Sequence, residues 1–125
     1  MADKVDAVME KMTDELHYYL QQDLFSKGEV KKIVKERRNH EYRMQRKDAS
    51  LLFFTDSIQF EKRLDKLRLK RKRKRIGDGK QKNLLMDNSI KKRVMYLYDR
   101  ALRKYKLNIA LWKEYMEYLV MNLSF

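Results

Sequence analysis

The sequence predicts an all-α protein, and three observations carry that prediction. Proline is absent and glycine occurs only three times in 125 residues, so the two helix breakers are nearly missing. Lys, Leu, Arg, Met and Glu, which lose little side-chain freedom in a helix, are abundant. Apolar residues recur at spacings of three and four over most of the chain, the period of an amphipathic helix. The length suffices for one domain with a modest core.

Five helices are expected. The first covers residues 3–22, where Val5, Val8, Met9, Met12, Leu16, Tyr19 and Leu20 fall on one stripe. Ser26 followed three positions later by Glu29 has the pattern of a capping box and opens a second helix running to about Lys47. Its stripe begins with Val30, Ile33 and Val34, then meets Arg37 and Glu41 before Met44. Four positions apart, Arg37 and Glu41 are spaced to pair across one turn. An ion pair on a face that should be buried reads as a protein-interaction site or as an exposed pair where the stripe drifts off the core.

Asp48 or Ser50 caps a third helix extending to Arg75, roughly 42 Å long. Phe53, Phe60, Leu64 and Leu67 give its main stripe, and Leu51, Phe54 and Ile58 a second face near its start. Beyond Leu67 the stripe falls on Arg71 and Lys74, so the last two turns are expected to project past the packed body. Residues 77–88, GDGKQKNLLMDN, hold two of the three glycines and form the expected linker. GDGK lacks the glycine spacing and the Ser/Thr of a phosphate-binding loop.

Asn88 or Ser89 starts the fourth helix, with Ile90, Val94, Leu97, Tyr98, Ala101 and Tyr105 on its stripe. After a break near Leu107 and Asn108, the fifth runs from Ile109 to about Leu123. It is apolar over more than half its circumference, through Leu111, Trp112, Tyr115, Met116, Tyr118, Leu119 and Leu123. Trp112 is expected in the core against Val94, Leu97 or Ala101. One neighbouring helix cannot cover the rest, so Leu111, Tyr115, Tyr118 and Phe125 are expected to face a protein partner or a second copy. The organisation is then a helical docking module over residues 1–76, a linker over 77–88 and repeat-type helices over 89–125.

The formal net charge of +13 is divided unevenly, with about −4 on residues 1–24 and about +17 on the rest. A surplus of that size points to a polyanionic partner, most often nucleic acid. It is densest in LRLKRKRKRIG, where Arg68, Lys70, Arg71, Lys72, Arg73, Lys74 and Arg75 fill seven of eight positions. These residues are candidates for phosphate contact without base reading and for nuclear import, Arg75 also for a structural role; the bland reading is a solvated helix end. Tyr18 and Tyr96 lie off the stripes and are candidates for base stacking.

Cysteine is absent, which removes disulfides and thiolate metal sites. His17 and His40 lie on different expected helices with no metal-ligand spacing nearby. The expectation is a protein that is not an enzyme and takes no cofactor or metal. No run is long and apolar enough to span a bilayer and no signal-peptide pattern appears, so a soluble, intracellular protein with no membrane partner is expected.

Two stretches resemble known families. RVMYLYDRALRKYKLNIALWKEYMEYL is similar to the half-a-TPR (HAT) repeat of RNA-processing scaffolds, matching through Val94, Tyr98, Arg100, Ala101 and Trp112. The upstream chain resembles the N-terminal region of the U3 small nucleolar RNA-associated protein 6 family. The motifs are the turn Leu24, Phe25, Ser26, the signature Glu41, Tyr42, Gln45, Arg46, and the helix end Arg75, Ile76, Gly77. The resemblance implies a nucleolar, non-catalytic scaffold of the small-subunit processome, in a UtpB-type subcomplex with WD40-propeller partners. It would contact U3 snoRNA or pre-rRNA and act in 18S rRNA maturation. The repeat array is expected to be interrupted after about one repeat. The alternatives are a HAT scaffold of splicing or 3′-end processing, and a small basic helical protein of DNA or chromatin.

Overall fold

The computed structural model describes residues 2–76 and 88–123. They form six helices and no strand: α1 (Ala2–Glu10), α2 (Thr13–Gln21), α3 (Lys27–Met44), α4 (Leu51–Ile76), α5 (Ser89–Lys104) and α6 (Ile109–Leu123). The protein is all-α, as its composition predicts. The expected linker lies outside the described residues except for Asn88.

The first expected helix is two helices. The Thr13 hydroxyl donates to the Glu10 carbonyl at 2.8 Å, and the Met12 amide bonds to Met9 rather than four residues back. Such local bonding competes with the helical ladder. The turn lets Met12 and Glu15 both reach Arg37 on α3. α2 ends in a paired closure, Leu24 amide to Tyr19 carbonyl and Asp23 amide to Leu20 carbonyl, with Asp23 left-handed at φ 58°.

Ser26 and Glu29 form the predicted capping box, with bonds of 3.2 and 2.9 Å. α3 stops at Met44, three residues short of the expected end. The Asp48 carboxylate pairs with Arg46. Ser89 opens α5, and its hydroxyl lies 2.8 Å from the Tyr19 hydroxyl. At the head of α6 the Asn108 side chain accepts from the Leu111 amide at 3.0 Å, an N-cap that composition did not reveal.

α4 and α5 make the most extensive helix contact; α3 packs on α4, α1 on α3, and α6 on α5. Val5, Tyr19, Ile58, Ile90, Val94, Leu97, Tyr98 and Ala101 are completely buried in one apolar cluster, so segments before and after residues 77–87 share a core. The phase of α4 differs from expectation. Phe54, Ser57, Ile58, Glu61, Leu64, Asp65 and Arg68 face inward, whereas Leu67 is exposed and Phe53 and Phe60 are half-buried. The expected minor face is the core face, and it continues through charged residues.

α6 is also turned from its expected setting. Leu111 is buried, and Tyr115 and Tyr118 pack on Tyr98 with ring centroids 4.8 and 5.9 Å away. They form the inner face and not an outer docking surface. Trp112 is 46% exposed and donates from Nε1 to the Lys106 carbonyl at 3.0 Å, so it is not a core residue. The uncovered apolar residues are Ile109, Trp112, Met116, Val120 and Met121. Phe125 lies outside the described residues.

Candidate functional site

The charged residues of α4 separate by helical phase into two sets, and that separation defines the site. On the inner side Glu61 is fully buried and takes both forks of Arg37, at 2.8 and 3.0 Å. Arg37, also fully buried, donates to Glu15 on α2 at 2.6 Å, and Arg93 on α5 donates to Glu61 at 3.2 Å. Glu41, again fully buried, accepts from Arg100 on α5 at 2.5 and 2.9 Å. Three carboxylates and three guanidinium groups thus balance across α2, α3, α4 and α5. Arginine suits this work because its planar fork meets a carboxylate with two parallel bonds.

Burial opposes ionisation throughout the junction, but pairing outweighs it at the centre. Desolvation works against Arg37, yet the carboxylates of Glu61 and Glu15 raise its pKa. Desolvation likewise works against Glu61, and Arg37 and Arg93 hold its pKa below the ordinary range. At Arg93 burial prevails, and the guanidinium is shifted down.

Arg37 and Glu41 do not pair with each other. Each is consumed by a different helix inside the chain, so neither is open to a protein partner. Of the basic run, Arg68 is buried and bonds to Asp65 at 3.0 Å. Arg71 donates to the Leu24 carbonyl and Glu29 and lies 5.3 Å from the Phe25 ring centre. Both belong to the body, and the last turns of α4 do have an inner face, at least as far as Arg71. Lys72 is half-buried, and the side chain of Arg75 lies outside the described residues.

On the outer side Lys66, Lys70, Arg73 and Lys74 are exposed, with no ion pair among the described residues, and line a shallow groove with Leu69. Arg63, also exposed, continues the row one turn earlier. At spacings of three and four these cations share one face, about one per turn. Lys66 and Arg63 were missed in the sequence because they precede the dense run; helical phase from Lys70 and Arg73 would have found them. Such a row of exposed cations is suited to a polyanion's backbone.

Val94, Tyr98 and Ala101 are core residues as expected. Arg100 serves the ion junction instead. Tyr98 is bonded on both sides, receiving from Lys62 and donating to Glu114 at 2.9 Å. Tyr96 is exposed and Tyr18 half-buried beside Tyr19, 6.1 Å between ring centres. His40 is buried edge-on to Phe60, with its pKa lowered by desolvation. Among the described residues no cluster of three metal-ligating side chains is present, and no helix is long and apolar enough to cross a membrane.

Fold and site together define a helical module with a charge-balanced interior and an open basic face on α4. The model of the U3 small nucleolar RNA-associated protein 6 family matches residues 9–93. The chain belongs to that family. It is 33% identical over 118 residues to U3 small nucleolar RNA-associated protein 6 of Schizosaccharomyces pombe, covering 94% of this chain and 24% of that protein. The Homo sapiens homolog is also 33% identical over 94% of this chain and 19% of its own length, and the Mus musculus homolog 30% identical over 93% and 19%. The chain therefore spans about a fifth to a quarter of the length of these relatives.

The motifs that carry the family likeness have structural work here. Leu24 and Phe25 are buried, Ser26 caps α3, and Glu41 anchors Arg100. Arg46 is exposed and pairs locally with Asp48.

Proposed function

We propose that this chain is a docking module of a non-catalytic scaffold associated with U3 snoRNA in the small-subunit processome, acting in maturation of the 18S rRNA precursor. Family membership and the names of the relatives support the class. The observation that carries the RNA contact is the outward row Lys66, Lys70, Arg73 and Lys74, whose cations are left over after the inward arginines are paired. The row meets phosphates of U3 snoRNA or pre-rRNA without reading bases and, within the run, doubles as a nuclear-import signal. α5 and α6 form the first HAT-type pair of a longer scaffold in the nucleolus, and WD40-propeller subunits of a UtpB-type assembly are its protein partners.

The test is purification of the tagged chain after ultraviolet crosslinking, with its RNAs and proteins identified. U3 snoRNA or pre-rRNA, with processome proteins, is the expected recovery. A variant carrying Lys66→Gln, Lys70→Gln, Arg73→Gln and Lys74→Gln should lose the crosslinked RNA. Recovery of spliceosomal or 3′-end factors, or equal binding to duplex DNA with no RNA recovered, overturns the reading.

A further inference from the structure

The groove along the basic row does not end at Lys66. It continues into a cleft between α4 and α6, and Lys66 and Leu69 line both. The α4 wall of this cleft is net basic, with Lys62, Arg63 and Lys66 beside Asp65, whose carboxylate is taken by Arg68, and the α6 wall is acidic, with Glu114 and Glu117. Leu69, Tyr118 and Met121 give it an apolar lining. Phosphate is attracted to the first wall and repelled by the second, so a strand held along α4 can present only a neutral group to α6.

We infer that the α4–α6 cleft is a base pocket for single-stranded RNA that favours bases bearing an exocyclic amino group. This rests on the RNA reading proposed above. The acidic wall supplies acceptors. Glu114 already accepts from the Tyr98 hydroxyl and has a second oxygen, whereas Glu117 is exposed and has no ion pair among the described residues. Asn122 donates its amide nitrogen to the Tyr118 carbonyl at 2.9 Å, which leaves its side-chain oxygen as an acceptor toward the cleft. Lys62 is directed to the Tyr98 hydroxyl and lies over the Tyr98 and Tyr118 rings, 5.0 and 5.1 Å from their centres. An acceptor-rich wall complements the amino group of cytosine and faces an unfavourable carbonyl in uracil. Reading of splayed bases beside a phosphate-binding surface is how single-stranded RNA is recognised.

The two pyrimidines give the cleanest test, because they differ at that group with the ring size constant. The full chain is titrated with fluorescent ten-nucleotide oligocytidylate and oligouridylate at several salt concentrations. Oligocytidylate should bind about fivefold more tightly, the worth of roughly one net hydrogen bond. Glu114→Ala, Glu117→Ala and Asn122→Ala combined, which removes every side-chain acceptor of that wall, should abolish the difference while binding stays salt-dependent. The fourfold change of the basic row should weaken both ligands alike and flatten the slope. Equal affinities in the intact chain with a steep salt slope overturn the pocket and leave the phosphate row standing. Absence of salt-dependent binding to either strand overturns both. A persistent cytosine preference in the variant lacking Glu114, Glu117 and Asn122 also overturns the pocket, since the preference then arises elsewhere.

Discussion

The two faces of α4 use the same kind of residue for opposite ends. On the inner face Glu61 and Arg68 are buried among partners, and Glu61 sits between Arg37 and Arg93. On the outer face Lys66, Lys70, Arg73 and Lys74 stand in solvent. The inner cations on α3 and α5 that meet carboxylates are all arginines, and three of the five outer cations, with Arg63 included, are lysines. The difference teaches that charge counted along a sequence is not charge available to a partner. A guanidinium repays its dehydration when a carboxylate takes two of its donors, whereas an ammonium keeps its hydration at the surface.

The inner face should break the fold when damaged. Arg37→Ala leaves Glu61 short of its main partner and Glu15 unpaired, and removing one partner of a buried ion pair costs about 3–5 kcal/mol. Against the stability typical of small domains, about 5–15 kcal/mol, much of the margin disappears. Chemical denaturation should show the midpoint falling steeply. A variant of unchanged midpoint would mean that solvent reaches the junction and that the two faces differ less than their burial implies.

The outer face should be silent in the same experiment. Converting Lys66, Lys70, Arg73 and Lys74 to Gln should shift stability by no more than about 0.5 kcal/mol per site. It should instead flatten the log–log salt dependence of single-stranded RNA binding by about three, from four lost phosphate contacts. Melting curves and fluorescence titrations on one preparation separate the effects.

Arg71 lies at the border between the faces and sharpens the comparison. Its hydrogen bond is the chief reason the Glu29 carboxyl is held at about 2 instead of the ordinary 4.5. A carboxyl depressed in the folded chain stabilises it fully above its unfolded pKa, and the contribution is lost as pH falls from about 4.5 toward 2. Arg71→Gln should therefore weaken the chain at neutral pH and blunt its loss of stability over that acid range. Because Glu29 is over a third exposed at the side chain, the effect should be modest and shrink with salt. Urea midpoints measured between pH 2 and 7 would check it.

The smallest effect belongs to Trp112. Half-exposed, it should cost no more than about 1 kcal/mol when changed to Ala, whereas Leu97→Ala, in the buried cluster, should cost about 2–5 kcal/mol. Equal thermal shifts in the two variants would restore Trp112 to the core.

Much of this was legible in the sequence because it depends on neighbours along the chain. Helical content follows from the missing breakers and the three-and-four spacing. The capping box needs only Ser26 and Glu29 three positions apart. Val94, Tyr98 and Ala101 were recognisable as core because their stripe is wholly apolar. The site was half legible: the basic run named Lys70, Arg73 and Lys74, but it could not exclude Arg68 and Arg71 or include Lys66 and Arg63.

What the sequence by itself determined is local: helix, cap, breaker, charge density and the likeness to a family. What only the tertiary structure decided is the rotation of each helix about its axis. For α4 the apolar residues offered two faces, and the choice fell to Glu61, which can be buried only where ion-pair partners from other helices meet it; Asp65 and Arg68 bring their partner with them, pairing with each other three positions apart on α4. Glu61 finds its partners in Arg37 and Arg93, which stand 24 and 32 positions away. For α6 the aromatic side chains fitted either of two settings, and Tyr98 settled it by drawing Tyr115 and Tyr118 onto its ring. A buried charge is acceptable only with a partner in place, and for Glu61 that partner lies beyond the few residues over which periodicity can be read.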